Sequence, residues 1–170
     1  MPTLIKHRRI VADDPWRRVR PEEALPPTGD IIVGWDHWIL EQARLRGHDG
    51  RVGVEVDGDV PIQELGPQAG HFHLIALHFP KSVDGRAYSQ ARVLREQYDF
   101  EGEIRATGEV VRDQLAFMER VGIDAYELPV GRESALAALA SFGEFSVHYQ
   151  NAAPQALPRI RRRPGTPGPA

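Results

Sequence analysis

The amino-acid sequence predicts a single α/β domain with a mostly parallel sheet of about five or six strands, drawn from repeated strand-helix units. Three observations carry this. Residues Ile75 to Leu128 hold strand, turn, helix, strand, turn, helix and strand signals in succession. Inside that stretch residues that are apolar but for Gln114 fall at helical spacing, first Ala87, Ala91, Leu94 and Tyr98, then Val110, Gln114, Phe117 and Val121, between short apolar runs. The run from Phe72 to Phe79 is the most apolar of the chain, the mark of a central strand covered on both faces. Right-handed strand-helix-strand units build an incomplete barrel and an open three-layer sheet equally well, so both architectures stand at this point.

Composition narrows the function classes. A chain of 170 residues can support a core without covalent staples. A net charge of -3 and a pI near 6.2 give no overall basic field to collect nucleic acid or an anionic membrane, and neither is expected as a partner. The absence of cysteine excludes disulfides, thiolate metal sites and a cysteine nucleophile. No run approaches the length of a membrane span and the first residues lack a cleavable leader pattern, so a cytoplasmic location is expected.

Taken in order, residues 1–20 carry two short apolar pieces, Thr3 to Ile5 and Arg9 to Val11, that suit a hairpin or edge segment, with Trp16 as an anchor. Arg17, Arg18 and Arg20 read as a solvated basic cluster. After a proline connector, residues 30–150 form the α/β domain proper. Asp30 to Val33 is a strand; Trp35 to Leu45 is an amphipathic helix with Trp38, Gln42 and Leu45 on one face and Ile39 nearby; Val52, Val54 and Val56 alternate in a second strand. Pro61 to Leu65 starts a short helix. Beyond the central strand, Ser82 or Asp84 caps a helix, Glu103 to Thr107 is a strand, Val110 to Arg120 a helix stopped by Gly122, and Ala125 to Leu128 a strand. Glu133 to Phe142 is a helix and Phe145 to Tyr149 a last strand. Residues 151–170 form a tail rich in proline and arginine that cannot build a core and is expected to be partly disordered.

Ligands of parallel sheets and barrels bind beyond the carboxyl ends of the strands. Lys81, Arg86 and Arg112 fall in such turns, and with Arg105 they are candidate anion-binding residues for a small sulfur or phosphorus oxyanion. Asp84, Gly85, Gly108, Asp113 and Gln114 are candidates for holding the turns. Arg105 lies inside a strand, where an unpaired charge is costly, so it should pair with Glu127 of the next strand. Glu127 and His78 are the candidate proton-transfer groups. His71 and His73 point to one side of a strand and His78 to the other, so no metal site is expected. No GxGxxG after a strand, GxxxxGK[ST], GxSxG or HExxH is present, and no cofactor is expected.

The string from Phe79 to Leu128 resembles the bacterial family called domain of unknown function 934. Its phrases align with Asp84, Gly85, Arg86, Tyr88, Ser89, Ala91, Arg92, Leu94 and Arg95, then with Gly102, Glu103, Arg105, Ala106, Gly108, Val110, Arg112, Asp113 and Gln114, and finally with Gly122, Asp124, Ala125 and Tyr126. The short Pro61 to Leu65 segment departs from the longer acidic helix of relatives. Members are often labelled oxidoreductases, and their genes tend to lie beside those of sulfite reductase. The resemblance therefore implies an accessory protein of assimilatory sulfite reduction that acts with sulfite reductase. An enzyme of the same pathway with an oxyanion site at the strand ends, and a structural interaction module, are the alternatives.

Overall fold

A computed structural model describes residues 2–81, 84–129, 131–140 and 142. Eight strands form one sheet: β1 (Thr3–Lys6), β2 (Arg9–Val11), β3 (Arg17–Val19), β4 (Ile31–Gly34), β5 (Val52–Asp57), β6 (Leu74–Phe79), β7 (Glu103–Gly108) and β8 (Ala125–Leu128). Their spatial order is β2-β1-β8-β7-β6-β5-β4-β3. All neighbours from β3 to β8 run parallel, whereas β1 is antiparallel to both β2 and β8. The expected five or six strands thus become eight. The surplus lies in residues 3–19, where β1 and β2 pair as an antiparallel hairpin at one edge of the sheet and β3 lies at the other.

From β4 to β8 each strand lies beside its predecessor in sequence, so every crossover steps the same way. A right-handed connection then leaves every helix on one face. That is observed for α1 (Trp35–Arg46), α2 (Ile62–Leu65), α3 (Arg86–Glu96), α4 (Leu115–Arg120) and α5 (Arg132–Ala140). Trp38, Leu65, Ala87, Leu94, Leu115, Met118 and Ala135 share one buried cluster with Val54, Ile75, Leu77, Ile104 and Tyr126 of the strands. An open sheet with helices on both faces is therefore not the architecture.

The sheet curls instead. Arg18 of β3 donates to Glu127 of β8 at 2.8 Å, although the two strands are five steps apart in the sheet. In a flat sheet five steps of roughly 4.8 Å would hold them about 24 Å apart, beyond the reach of two side chains. The helix-free face is therefore concave, and the segment before β3 lies across it. Trp16 packs on Ile32, Leu74 and Ala76 there, with the Arg51 guanidinium 5.0 Å from its ring centre. This explains why the run through β6 is the most apolar of the chain, buried on one face by helices and on the other by curl and strap.

Several local expectations are met. Trp35 begins α1, Pro61 precedes α2, and Gly122, at φ +101°, follows α4. The N-cap of α3 is Gly85, without a side-chain cap, rather than Asp84, whose Oδ1 accepts the Arg86 backbone N–H at 3.1 Å. Two helical faces differ from the sequence reading. The chain enters α4 through a 3₁₀ turn at Arg112–Gln114, which delays the α-helix to Leu115 and rotates its apolar face onto Leu115 and Met118, leaving Phe117 44% exposed. In α1, which kinks at Glu41, Ile39 is 44% exposed, and His37 is buried beside Trp38. The expected strand Phe145 to Tyr149, the Ser82 cap and the tail lie outside the described residues.

Candidate functional site

The alternation of β7 sends Ile104 and Ala106 to the helices and Glu103, Arg105 and Thr107 to the concave face. Arg105 is 1% exposed and meets three carboxylates. Its Nε donates to Glu103 at 2.7 Å, and its Nη1 to Asp14 at 2.6 Å and Glu127 at 3.1 Å. Burial works against the guanidinium charge, but the Asp14 and Glu103 carboxylates more than offset it, so its pKa lies above the ordinary arginine value. Lys6 holds the second oxygen of Glu103 at 2.6 Å, and Arg18 links Glu127 to Glu55. Three cations thus face four carboxylates in a continuous set from β1 to β3.

The set reaches the carboxyl end of the sheet through Thr107. Its hydroxyl donates to Glu55 at 3.0 Å, and the His78 Nδ1 lies 3.4 Å away. With its single proton given to Glu55, Thr107 can only accept from His78, which places a proton on Nδ1. Beyond them, at the ends of β4, β5 and β6, opens a cleft of about 590 Å³. Its lining includes Trp35, Asp36, His37, Glu55, Asp57, Asp59 and His78. The His37 Nδ1 is buried without a hydrogen-bond partner among the described residues.

The opposite end of the sheet is clamped by Arg95. Its guanidinium donates to the carbonyls of Gly122 at 3.0 Å and Gly102 at 2.8 Å, to that of Phe100, and to the Asp124 carboxylate at 3.2 Å. Asp124 in turn accepts the Ile104 N–H at 3.0 Å. Burial lowers the Arg95 pKa and raises that of Asp124, each opposed by the partner's charge. The Tyr126 hydroxyl donates to the Ile123 carbonyl at 2.7 Å, and burial pushes its pKa up. This end joins the loops before β7 and β8, which is scaffold work.

The residues singled out from sequence fall as follows. The Arg105–Glu127 pair forms, and Asp14 and Glu103 join it. Arg105 is not at the strand-end rim: it pairs in register with Ala76 and Ala125 in the middle of the sheet. Arg86 turns back to Asp84, with Nη2 to Oδ2 at 2.6 Å, and this contact together with the backbone bond holds the Asp84 carboxyl down at about 2. Lys81 and Arg112 are exposed, as are Gly85 and Asp113; Gln114 is half-buried at the end of its 3₁₀ turn. Gly108 has φ +84°, and a Cβ there would strike the Phe79 carbonyl and the His78 ring. Glu127 is occupied by Arg105 and Arg18, while His78 is half-buried at the cleft.

Asp14 and Glu103 were not visible in the sequence as partners of Arg105, nor Lys6, Arg18 and Glu55 as the groups that extend the set, because a three-residue strand such as Arg17–Val19 carries no periodicity. Trp35 to His37 and Asp57 to Asp59 carried a usable signal: they follow strands exactly as the turns after β6 and β7 do. Among the described residues no group of three or more histidine, aspartate or glutamate side chains is placed to hold a metal ion, and no helix is long and apolar enough to cross a membrane.

A one-sided, curled, mostly parallel α/β sheet, with ion pairs on its concave face and a strand-end cleft, defines the class of protein. Residues 53–160 match the family of bacterial proteins of unknown function termed DUF934, and the chain belongs to that family. No curated protein and no solved structure matches the chain.

Proposed function

We propose that this is a cytoplasmic accessory protein of assimilatory sulfite reduction, which binds sulfite reductase rather than turning over a substrate itself. The sulfur assignment rests on the family resemblance drawn from the sequence. The accessory role rests on one structural observation: the buried arginine that would serve an oxyanion, Arg105, is already held by Asp14, Glu103 and Glu127. Arg86 is likewise engaged by Asp84, and the strand-end cleft is lined by carboxylates. An oxyanion entering either place would meet net negative charge.

A catalytic reading, with a sulfur oxyanion at Lys81, Arg86, Arg105 and Arg112 and with Glu127 or His78 moving a proton, draws support from His78, which reaches the cleft edge and is linked through Thr107 to Glu55. Retention of the reductase from the same cell on immobilised protein, followed by calorimetry with sulfite, separates the two. Reductase binding with no saturable sulfite heat is the expected result. Sulfite binding without reductase binding would transfer the assignment to an enzyme. A nucleic-acid or membrane partner has no place in either reading.

A further inference from the structure

We infer that the strap between β2 and β3 is an autoinhibitory occupant of a groove on the concave face. Once vacated, the groove docks an extended segment of a partner protein that bears a carboxylate followed two residues later by an aromatic ring. Asp14 and Trp16 hold those two places in the closed form. Asp14 Oδ2 accepts from Arg105 Nη1 at 2.6 Å and Oδ1 accepts from Nη2 at 3.2 Å, the two-point contact by which a guanidinium recognises a free carboxylate. Trp16 packs on Ile32, Leu74 and Ala76, with the Arg51 guanidinium 5.0 Å from its ring centre.

The groove suits such groups with the strap removed. Gly53 stands in register between Ile32 and Leu74 and places no side chain in the floor, while Ala76 adds only a methyl, so the floor is recessed where a flat ring can lie. Of the three carboxylates on Arg105, that of Asp14 is the most exposed, at 29% against 6% for Glu103 and 14% for Glu127. It is also the surplus charge. Without Asp14, Lys6, Arg18 and Arg105 balance Glu55, Glu103 and Glu127, so an incoming carboxylate can replace it and leave the charge of the set unchanged. The strap itself is loosely tied. Residues 13–16 make no backbone hydrogen bond among the described residues, Pro15 has no N–H to give, and residues 12–15 are exposed. Two side chains carry its hold on the body, which places it among the segments that open at low cost.

This inference is independent of the accessory role and can fail without it. The test is an NMR titration of a synthetic peptide of residues 11–17 against the wild-type chain and against full-length Asp14→Ala/Trp16→Ala, whose strap has lost both anchors. Saturable binding to the double variant is expected, at least about tenfold tighter than to the wild type, in which the tethered strap competes at high effective concentration. Asp14→Asn or Trp16→Leu within the peptide should each weaken that binding at least about tenfold. Asp14→Asn in the chain keeps the shape of the strap and serves as the second variant, with peptide binding tighter than that of the wild type. Four results would overturn the inference: no peptide binding by either folded variant, equal binding by wild type and double variant, indifference to the substitutions in the peptide, or failure of both variants to fold by circular dichroism, which would make the strap an integral part of the sheet.

Discussion

On the helix side of the sheet, Ile75, Leu77 and Phe79 of β6 join Ala87, Ala91 and Leu94 of α3 in a single apolar cluster. On the concave side, the neighbouring strand β7 presents Glu103, Arg105 and Thr107, all buried, to partners drawn from four other strands and the strap before β3. The first face gains stability in proportion to area and tolerates any side chain of the right volume. The second gains little net energy, since desolvating the charges offsets their attraction, but each ion pair is directional. Arg18 of β3 can meet Glu127 of β8, and so join the Arg105 set, only when the sheet is rolled. The apolar face thus makes the protein stable, and the ionic face specifies its curl.

Substitutions that treat the faces alike will break this comparison, and the largest effect belongs to Arg105. Arg105→Met strands the carboxylates of Asp14, Glu103 and Glu127 and should cost about 3–5 kcal/mol in urea unfolding. Adding Glu103→Gln and Glu127→Gln should restore much of that loss, a rescue with no counterpart on the apolar face. There, Leu77→Ala should cost about 2–5 kcal/mol by opening a cavity, with no dependence on salt. Gly108→Ala combines an unfavourable φ with a clash at Phe79 and should cost about 1–3 kcal/mol in thermal unfolding. Arg18→Ala, whose side chain is 42% exposed, should cost only about 0.2–1 kcal/mol, and the difference should shrink in added salt.

The smallest effect is a pH dependence at the α3 start. The Asp84 carboxyl is held at about 2, below the usual 3.8. Because the folded value is depressed, its contribution to stability is present above about pH 4 and is lost as pH falls through about 2. NMR titration of the carboxyl carbon should show a midpoint near 2 that Arg86→Ala returns toward the ordinary aspartate value.

The apolar face was legible in the sequence because long strands and helices leave periodic marks. Val52, Val54 and Val56, the run ending at Phe79, and Ala87, Ala91 and Leu94 all lie where their spacing puts them. The reading failed where a 3₁₀ turn preceded α4, because three tighter residues rotate every later side chain and turn Phe117 outward. On the ionic face, charge inside a strand was sufficient to pair Arg105 with Glu127. Asp14 sits 91 residues from Arg105 in a strap without regular structure, and no local pattern can announce such a contact. Strand β3, three residues with two arginines, read as solvated surface for the same reason.

The central claim is that the concave face is a closed ionic structure and not an oxyanion site. Its most direct test pairs sulfite calorimetry with urea unfolding on wild-type and Arg105→Met protein. The account predicts no saturable sulfite binding by either protein and a stability loss of about 3–5 kcal/mol in the variant. Sulfite binding by the wild type that disappears in Arg105→Met, with stability unchanged, would contradict it.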